Sequence, residues 1–307
     1  MGKVWEIPKD VVLKTAKWLK IHGHLLNRFL CHAGLINLYS ITEIFNMRPV
    51  LTFIGFSILS ISAMAKSADT LRVQPGDIDM KALQKGEYGY IIYNTKSKDG
   101  PAMRTTLVKI SVEPQMYHNK PAIIIKQEWD RDTVVHSAYS VFDPKDFSTI
   151  EHDTWWKPLG YSMKFDFEAK RVTYKNDDPN KNVPDSVVKK GTDDFNGSFA
   201  KYNLNWHADL IVYQLLPYKE NRTFIINYYD PGFGKAEEVV YTVTGSDILS
   251  GRDGEKIDCW VLNFTDKDHP GTYERFWISK KTKEVLKEED FYNGAYRYKV
   301  KLGIGGL

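Results

Sequence analysis

The stretch that decides the fold is residues 275–302, which read RFWISKKTKEVLKEEDFYNGAYRYKVKL. Runs of aromatic and β-branched residues are separated here by short polar turns at 280–283 and at Asn293-Gly294. Such runs are typical of β-strands, and Asn-Gly is typical of a two-residue hairpin turn. The stretch therefore predicts a meander of antiparallel strands.

The same pattern continues back to about residue 77, with Gly, Pro, Asn and Asp between the strand-like runs. The predicted strands are 88–94, 105–112, 122–129, 133–142, 148–155, 160–167, 171–174, 222–229, 238–244, 257–264, 272–279, 284–290 and 295–302. We predict a mainly β protein, an antiparallel, curved or partly open β-barrel.

Alternation within the strands predicts which faces are buried. In 160–167 and 295–302, aromatic and aliphatic residues alternate with polar ones, so each strand should have one wet face, with Arg297, Lys299 and Lys301 in solvent. In strand 257–264, residues at both odd and even positions are apolar. Both faces of this strand therefore need cover.

One packed helix is predicted at about 205–216. Trp206, Leu210, Tyr213 and Leu216 fall close to one helical stripe, and Pro217 ends it. The polar segment 176–194 contains two prolines and is interpreted as a loop between two halves of one sheet system, at about 77–175 and 195–307.

Residues 47–65 have the pattern of a secretory signal peptide. Arg48 precedes an apolar run, and Ala63-Met64-Ala65 fits signal peptidase, so cleavage is expected near Ala65. We interpret residues 1–46 as an upstream extension outside the mature fold and 66–307 as a single antiparallel β domain. The alternative is that the apolar run is kept as an anchor, with the basic amino-terminal segment in the cytoplasm.

Both alternatives predict export, to the periplasm or cell envelope, and the first leaves no stable membrane span in the mature chain. After Ala65 only Cys259 remains, so no internal disulfide can form, and its strand-like surroundings predict a small buried filler. Of the 42 Lys and Arg and 39 acids, seven and three lie in residues 1–65, which leaves 35 against 36 in the rest. A neutral body argues against a nucleic-acid partner.

No motif for catalysis, phosphate binding or dinucleotide binding occurs, and the histidines after Ala65 lack metal-ligand spacing. We therefore predict no catalytic residue, no metal site and no cofactor. The many aromatic residues remain, either as packing residues of a large sheet or as the walls of an apolar or carbohydrate-stacking cleft. In the pair Trp155-Trp156, one ring is expected to face outward.

Four stretches carry a family resemblance: WHADLIVYQLLPY at 206–218, VVYTVTGSDIL at 239–249, KIDCWVLNF at 256–264, and 275–302. Together they resemble the family called domain of unknown function 3108 (DUF3108), exported proteins of Gram-negative bacteria. The resemblance implies a partly open β-barrel similar to lipoprotein-carrier folds, with no agreed activity. It supplies no catalytic residues, and Gly245, Trp260 and Trp277 are expected to be structural.

These observations predict a non-enzymatic envelope protein that binds a lipid, an acyl chain or another apolar small molecule, or an envelope protein, within its curved sheet. The residues predicted to line that interior are Trp206, Leu210, Trp260, Phe264 and Trp277. One alternative is a structural or interaction module with a filled core. Another is a glycan-active enzyme, which would require two facing acids in an open groove.

Overall fold

The computed structural model describes residues 69–251, 254–266 and 269–303, all within the unit Ala68–Leu307. The predicted extension, signal peptide and cleavage point lie outside these residues. Fifteen strands join one sheet. They are β1 (Thr70–Arg72), β2 (Gly86–Thr95), β3 (Arg104–Tyr117), β4 (Lys120–Asp130), β5 (Val134–Phe142), β6 (Thr149–Trp156), β7 (Tyr161–Asp166), β8 (Arg171–Asn176), β9 (Leu204–Asn205), β10 (Thr223–Tyr229), β11 (Glu237–Ser250), β12 (Lys256–Thr265), β13 (Tyr273–Ser279), β14 (Val285–Tyr292) and β15 (Ala295–Lys301).

The sheet is curved and open, with the order β1-β10-β11-β12-β13-β14-β15-β2-β3-β4-β5-β6-β7-β8, and β9 pairs with β10. Among the described strands, only the pairs of β10 with β1 and with β9 are parallel. The predicted fold class is confirmed, and each predicted strand is found to within a few residues, except that β11 runs on to Ser250 and β3 to Tyr117. The short strands β1 and β9 were not predicted.

A helical run covers part of the sheet where the sequence predicts it. It consists of a 3-10 turn at Trp206–Ala208, helix α2 at Asp209–Val212, and a 3-10 turn at Tyr213–Leu215. We call residues 206–215 the helical plug. Among the described residues, no helix has both the length and the apolar character that a bilayer crossing requires.

The prediction of a loop at 176–194 is wrong over its second half, because helix α1 spans Asp185–Ser198. Only Gly191, Phe195 and Ser198 of this helix are buried, so its apolar stripe is too sparse to be recognised in the sequence. Phe195 packs in a small cluster with Met163, Phe165 and Tyr229, and so holds α1 against the inner side of β7 and β8.

The two faces of the sheet differ. The inner face carries the main core, to which strands from both ends of the chain and the helical plug contribute, including Tyr90, Ile110 and Leu262. The outer face carries polar residues such as Lys109 and Lys126, but also a second apolar cluster on β12–β14. Strand β12 is covered on both faces, as predicted, because Leu262 packs in the main core and Cys259 in the outer cluster.

Strand β15 reverses the predicted orientation. Lys299 is only 8% exposed and lies on the inner face, while Tyr298 lies on the outer face and stacks on Tyr93 at 5.1 Å. The reason is charge pairing, because β15 places Lys299 opposite Glu288 and Arg297 opposite Asp290 on the neighbouring β14. Paired charges can be buried where single charges cannot.

Candidate functional site

The predicted ligand-binding residues do not share one face. Trp206 and Leu210 lie on the helical plug, and Trp260 and Phe264 lie on the inner face of β12, all packed on or in the main core. Trp277 lies on the outer face, in the cluster with Cys259 and Leu286. Four of the five residues therefore face the interior, and the fifth is separated from them by the sheet.

The two inner tryptophans lie at different ends of the helical plug. Trp206 packs against Tyr228 at a centroid distance of 5.3 Å, near the start of the plug. Trp260 stacks on Tyr218, which follows the end of the plug, at 6.5 Å. The space between them is occupied by plug side chains, of which Tyr213 lies 4.6 Å from the ring of Phe276 and is fully buried.

A cluster of charged side chains is buried beside the plug. Lys299 Nζ lies 2.7 Å from Glu288 Oε2 and 3.5 Å from Asp209 Oδ2, which joins β15, β14 and α2. Arg297 Nη2 lies 3.2 Å from Glu288 Oε1, and its Nε donates to Asp290 Oδ2 at 2.6 Å. We call Asp209, Glu274, Glu288, Asp290, Arg297 and Lys299 the ion cluster.

Burial shifts the pKa values of the acids in the ion cluster upward. The pKa of Glu288 is raised to about 7 by burial and by the charge of Asp290. The pKa of Glu274 is raised to about 7 by burial and by the charge of Glu288, and Tyr241 donates to it at 3.2 Å. Burial alone would lower the pKa of Lys299, but the carboxylates of Asp209 and Glu288 raise it.

The ion cluster is not an open pair of catalytic acids. Glu288 and Asp290 are 1% and 4% exposed, and Arg297, whose side chain is 45% exposed, bonds to both of them. A glycosidase needs two carboxyl groups facing an open groove that admits the sugar. The cluster lacks that groove, and its contacts instead tie the plug to the sheet.

The sequence contains a signal for this cluster in the charges of its last hairpin. An Asn293-Gly294 turn pairs Tyr292 with Ala295, and the register then places Glu288 opposite Lys299. Two opposite-charge pairs on one face of a hairpin could therefore have been inferred from residues 284–301 alone.

Three histidines form a second buried polar group on the inner face. The ring of His207 lies 5.4 Å from that of His136 and 4.7 Å from that of His152. The pKa of His136 is lowered to about 3 by burial and by His207, and the pKa of His152 is also lowered by burial. His136 Nδ1 lies 2.8 Å from the carbonyl of Trp155, so in its neutral form this nitrogen donates.

This histidine group is a packing element. Ser140 Oγ lies 2.8 Å from His152 Nδ1, but both residues are fully or almost fully buried and cannot reach a substrate. Within the part of the chain that the structure describes, no three His, Cys, Asp or Glu side chains are placed to hold a metal ion. Beside this group, Gln127 donates to the backbone carbonyl of His207 and so fixes the start of the plug.

A concave surface with a volume of about 900 Å³ lies on the outer face, across β2 to β6. We call it the outer groove. Its lining residues are Glu87, Tyr88, Gly89, Lys109, Ile110, Ser111, Lys126, Gln127, Glu128, Ser137, Ala138, Tyr139 and Asp153. Tyr88, Ile110, Gln127 and Ala138 point to the inner face, so the outward side chains are polar apart from the ring of Tyr139.

Both tryptophans of the Trp155-Trp156 pair are half-buried, on opposite faces. Trp156 stacks on His136 at 3.8 Å on the inner face. Trp155 lies on the outer face, beside the outer groove, where its Nε1 donates to the carboxylate of Asp177 at 3.0 and 2.9 Å. The sequence did not identify the groove, because alternation marks Lys109 or Glu128 only as facing solvent.

A smaller pocket of about 200 Å³ lies on the outer face beside Trp277, whose Nε1 donates to Asp247 at 2.8 Å. It adjoins Gly245, where a bulge shifts the register of β11 against β12. Gly245 has φ +145°, a conformation that other residues rarely adopt. Burial raises the pKa of the nearby Cys259 thiol to about 11, in keeping with a structural filler.

Comparison with solved structures finds distant likenesses. A DUF1329 family protein from Desulfovibrio piger has 12% identity, covering 73% of this chain and 86% of that one, with a TM-score of 0.25. A Bacteroides fragilis protein described as exported, with a YmcC-like fold, has 11% identity, 73% and 97% coverage, and a TM-score of 0.30. A Vibrio parahaemolyticus domain described as an outer membrane lipoprotein-sorting protein has 11% identity, 73% and 87% coverage, and a TM-score of 0.21.

TM-scores this low carry no argument about the fold or function of this chain. No curated protein is similar enough in sequence to count as a relative. One family model, described as protein of unknown function (DUF3108), matches residues 93–301, which is more than half of the chain and confirms the resemblance noted in the sequence. The chain therefore belongs to the DUF3108 family.

Proposed function

We propose that this protein is a non-enzymatic binding module of the bacterial cell envelope, with a filled interior, that binds its partner in the outer groove. The observation that carries the proposal is the contrast between the two faces. The plug occupies the inner side with fully buried rings such as Tyr213, whereas the outer groove is open and about 900 Å³ in volume.

An acyl ligand inside the sheet is the alternative, and it would have to displace the plug. The plug and the residue after it bury six large apolar residues: Leu210, Ile211, Val212, Tyr213, Leu215 and Leu216. Uncovering them would cost about 9–18 kcal/mol at about 1.5–3 kcal/mol each, and a chain of about sixteen methylenes would return about 13 kcal/mol. This balance leaves no clear driving force for an internal acyl chain.

Localisation in the periplasm or cell envelope is part of the proposal. Its support is the signal-like segment 47–65. The absence of a catalytic role is likewise proposed, on the ground that the paired acids of the ion cluster are closed off by Arg297 and Lys299.

The test is cosedimentation of the protein, purified from its host, with isolated cell envelopes. Ser137→Trp places a large ring in the groove and should abolish cosedimentation. Val240→Trp places the same ring on the exposed outer face of β11, away from the groove, and should leave it unchanged. Equal sedimentation of both variants, or one tightly bound lipid per chain after extraction, would contradict the proposal.

A further inference from the structure

We infer that the outer groove takes an extended, uncharged glycan laid across strands β2 to β6. This inference rests on the proposed function, since it names the ligand class of the same groove.

The backbone of the groove is not available to a partner. Each strand from β2 to β6 is hydrogen-bonded to a neighbouring strand on both sides, and β15 and β7 flank the set. A peptide therefore cannot bind here by adding a strand, which requires an unpaired edge. Recognition must come from the outward side chains.

Those side chains form two rows that cross the strands. The strand register defines the first row as Gly89, Lys109, Glu128, Ser137 and Trp155. It defines the second as Glu87, Ser111, Lys126, Tyr139 and Asp153. Neighbouring strands lie about 4.8 Å apart, so four strand intervals span about 19 Å.

The rows offer regularly spaced polar groups with small residues between them. Ser111 and Ser137 leave room between longer neighbours, whereas the side chain of Leu302 covers Gly89 at the end of the first row. A pyranose chain repeats at a spacing close to that of the strands, so successive sugar rings would meet successive pairs of side chains. The groove is long enough for a few such rings.

The charges favour a neutral ligand with many hydroxyl groups. The groove holds two lysines and three acids, and Glu87, Lys109, Lys126 and Glu128 make no ion pair with any residue that the structure describes. An acyl chain would desolvate these charges without hydrogen bonds, which is costly. Sugar hydroxyls can donate to the carboxylates and accept from the lysines.

Aromatic rings stand at one end of the rows. Tyr139 lines the groove, and Trp155 adjoins it with its indole held by Asp177. A half-exposed ring in a fixed orientation offers an apolar face. Sugar rings present C–H faces that can stack on it. Because Asp177 already orders Trp155, binding loses little side-chain entropy there.

The experiment titrates the purified protein with cellohexaose, chitohexaose and maltohexaose by calorimetry. The other ligand classes are represented by a ten-residue peptide with alternating Lys and Glu and by vesicles of phosphatidylethanolamine and phosphatidylglycerol. We expect one hexasaccharide to bind with a Kd of about 1 mM or tighter. The double variant Lys126→Ala, Glu128→Gln should weaken that binding at least about tenfold, which is about 1.4 kcal/mol.

The matched control is Lys235→Ala, Glu220→Gln, two exposed positions outside the groove, which should bind like the unmodified protein. Circular dichroism melting checks that both variants fold. If no hexasaccharide binds but Ser137→Trp still abolishes cosedimentation with envelopes, the glycan inference fails and the proposed function stands. Binding of the peptide or the vesicles in place of a sugar also overturns the inference.

Discussion

Lys299 illustrates how much a single buried charge depends on its partners. It contacts Glu288 and Asp209 while only 8% of the residue is exposed. Removing one partner of a buried pair leaves an uncompensated charge, which costs more than the pair itself contributes. The four acids of the ion cluster would then share Arg297 alone.

Lys299→Met tests this dependence. We expect a loss of about 3–5 kcal/mol in the free energy of unfolding, because Glu288 and Asp209 lose their common cation. Urea denaturation followed by circular dichroism measures it. Lys175→Met, at an exposed position of β8, is the control and should change stability by less than about 0.5 kcal/mol. A loss below about 1 kcal/mol for Lys299→Met would show that the cluster is solvated.

Glu274→Gln tests the raised pKa in the same cluster. The pKa of Glu274 is about 7 in the folded protein against 4.5 for the ordinary group, so the folded state holds a proton that the unfolded state has lost. The raised pKa of Glu274 stabilises the folded state below pH 4.5, and this stabilisation is lost as the pH rises through 7. The Gln variant lacks this loss and retains an acceptor for Tyr241.

We therefore expect the stability of Glu274→Gln, relative to the unmodified protein, to improve between pH 5 and pH 8 by on the order of 1–3 kcal/mol. Urea denaturation at both pH values measures the difference. Glu220→Gln at an exposed position should show no such trend, and a relative stability of Glu274→Gln that falls with pH would mean that its carboxylate is stabilised in the fold.

At the scale of elements, the helical plug decides how the interior is used. Its residues are held by two polar groups at its start, the histidine group and the ion cluster, and by ring packing along its length. Helix α1 plays a smaller part, since it covers β7 and β8 mainly through Phe195. The predicted helix carried a dense apolar stripe, whereas α1 carried three buried residues, so only the plug was recognisable in advance.

Tyr213→Ala tests the plug. The ring is fully buried and contacts Phe276 and Tyr241, so its removal should cost about 3–5 kcal/mol and leave a cavity. Tyr292→Ala, at a half-buried position near the end of β14, should cost much less. Chemical denaturation and binding of a fluorescent apolar dye provide the measurements. Unchanged stability in Tyr213→Ala would indicate a plug that is loosely seated and free to move for a ligand.

At the scale of the whole molecule, β15 joins the last strands of the chain to β2 near its start. Strands of both predicted halves therefore lie in one sheet. Among the strands that the structure describes, β8 and β1 end the strand order without pairing with each other, so the sheet stays open. The outer groove is lined by residues of five paired strands, β2 to β6.

The first residue of the exported chain tests the predicted signal peptide. If residues 47–65 act as a cleaved signal, protein isolated from cell envelopes should begin at Lys66, and its mass should match residues 66–307 with no lipid attached. Amino-terminal sequencing and native mass spectrometry check both points. A chain that begins at Met1 and fractionates with the cytosol would contradict the proposed envelope location.

The amino-acid sequence by itself determined the meander, the plug and the strands other than β1 and β9. These features follow from local periodicity, turn residues and the end of the plug at Pro217, all of which act over a few neighbouring residues. The family was indicated separately, by the resemblance of four stretches between residues 206 and 302. The sequence also determined which residues of β15 share a face, because strand alternation has a strict period of two.

Only the tertiary structure decided which of the two faces of β15 lies inside. Alternation is symmetric, so the choice depends on Glu288, Asp290 and Asp209, which lie on other elements and neutralise the inner charges. The outer groove is likewise a property of five curved strands together. No single strand encodes it, because curvature and the alignment of rows arise only when the strands pair.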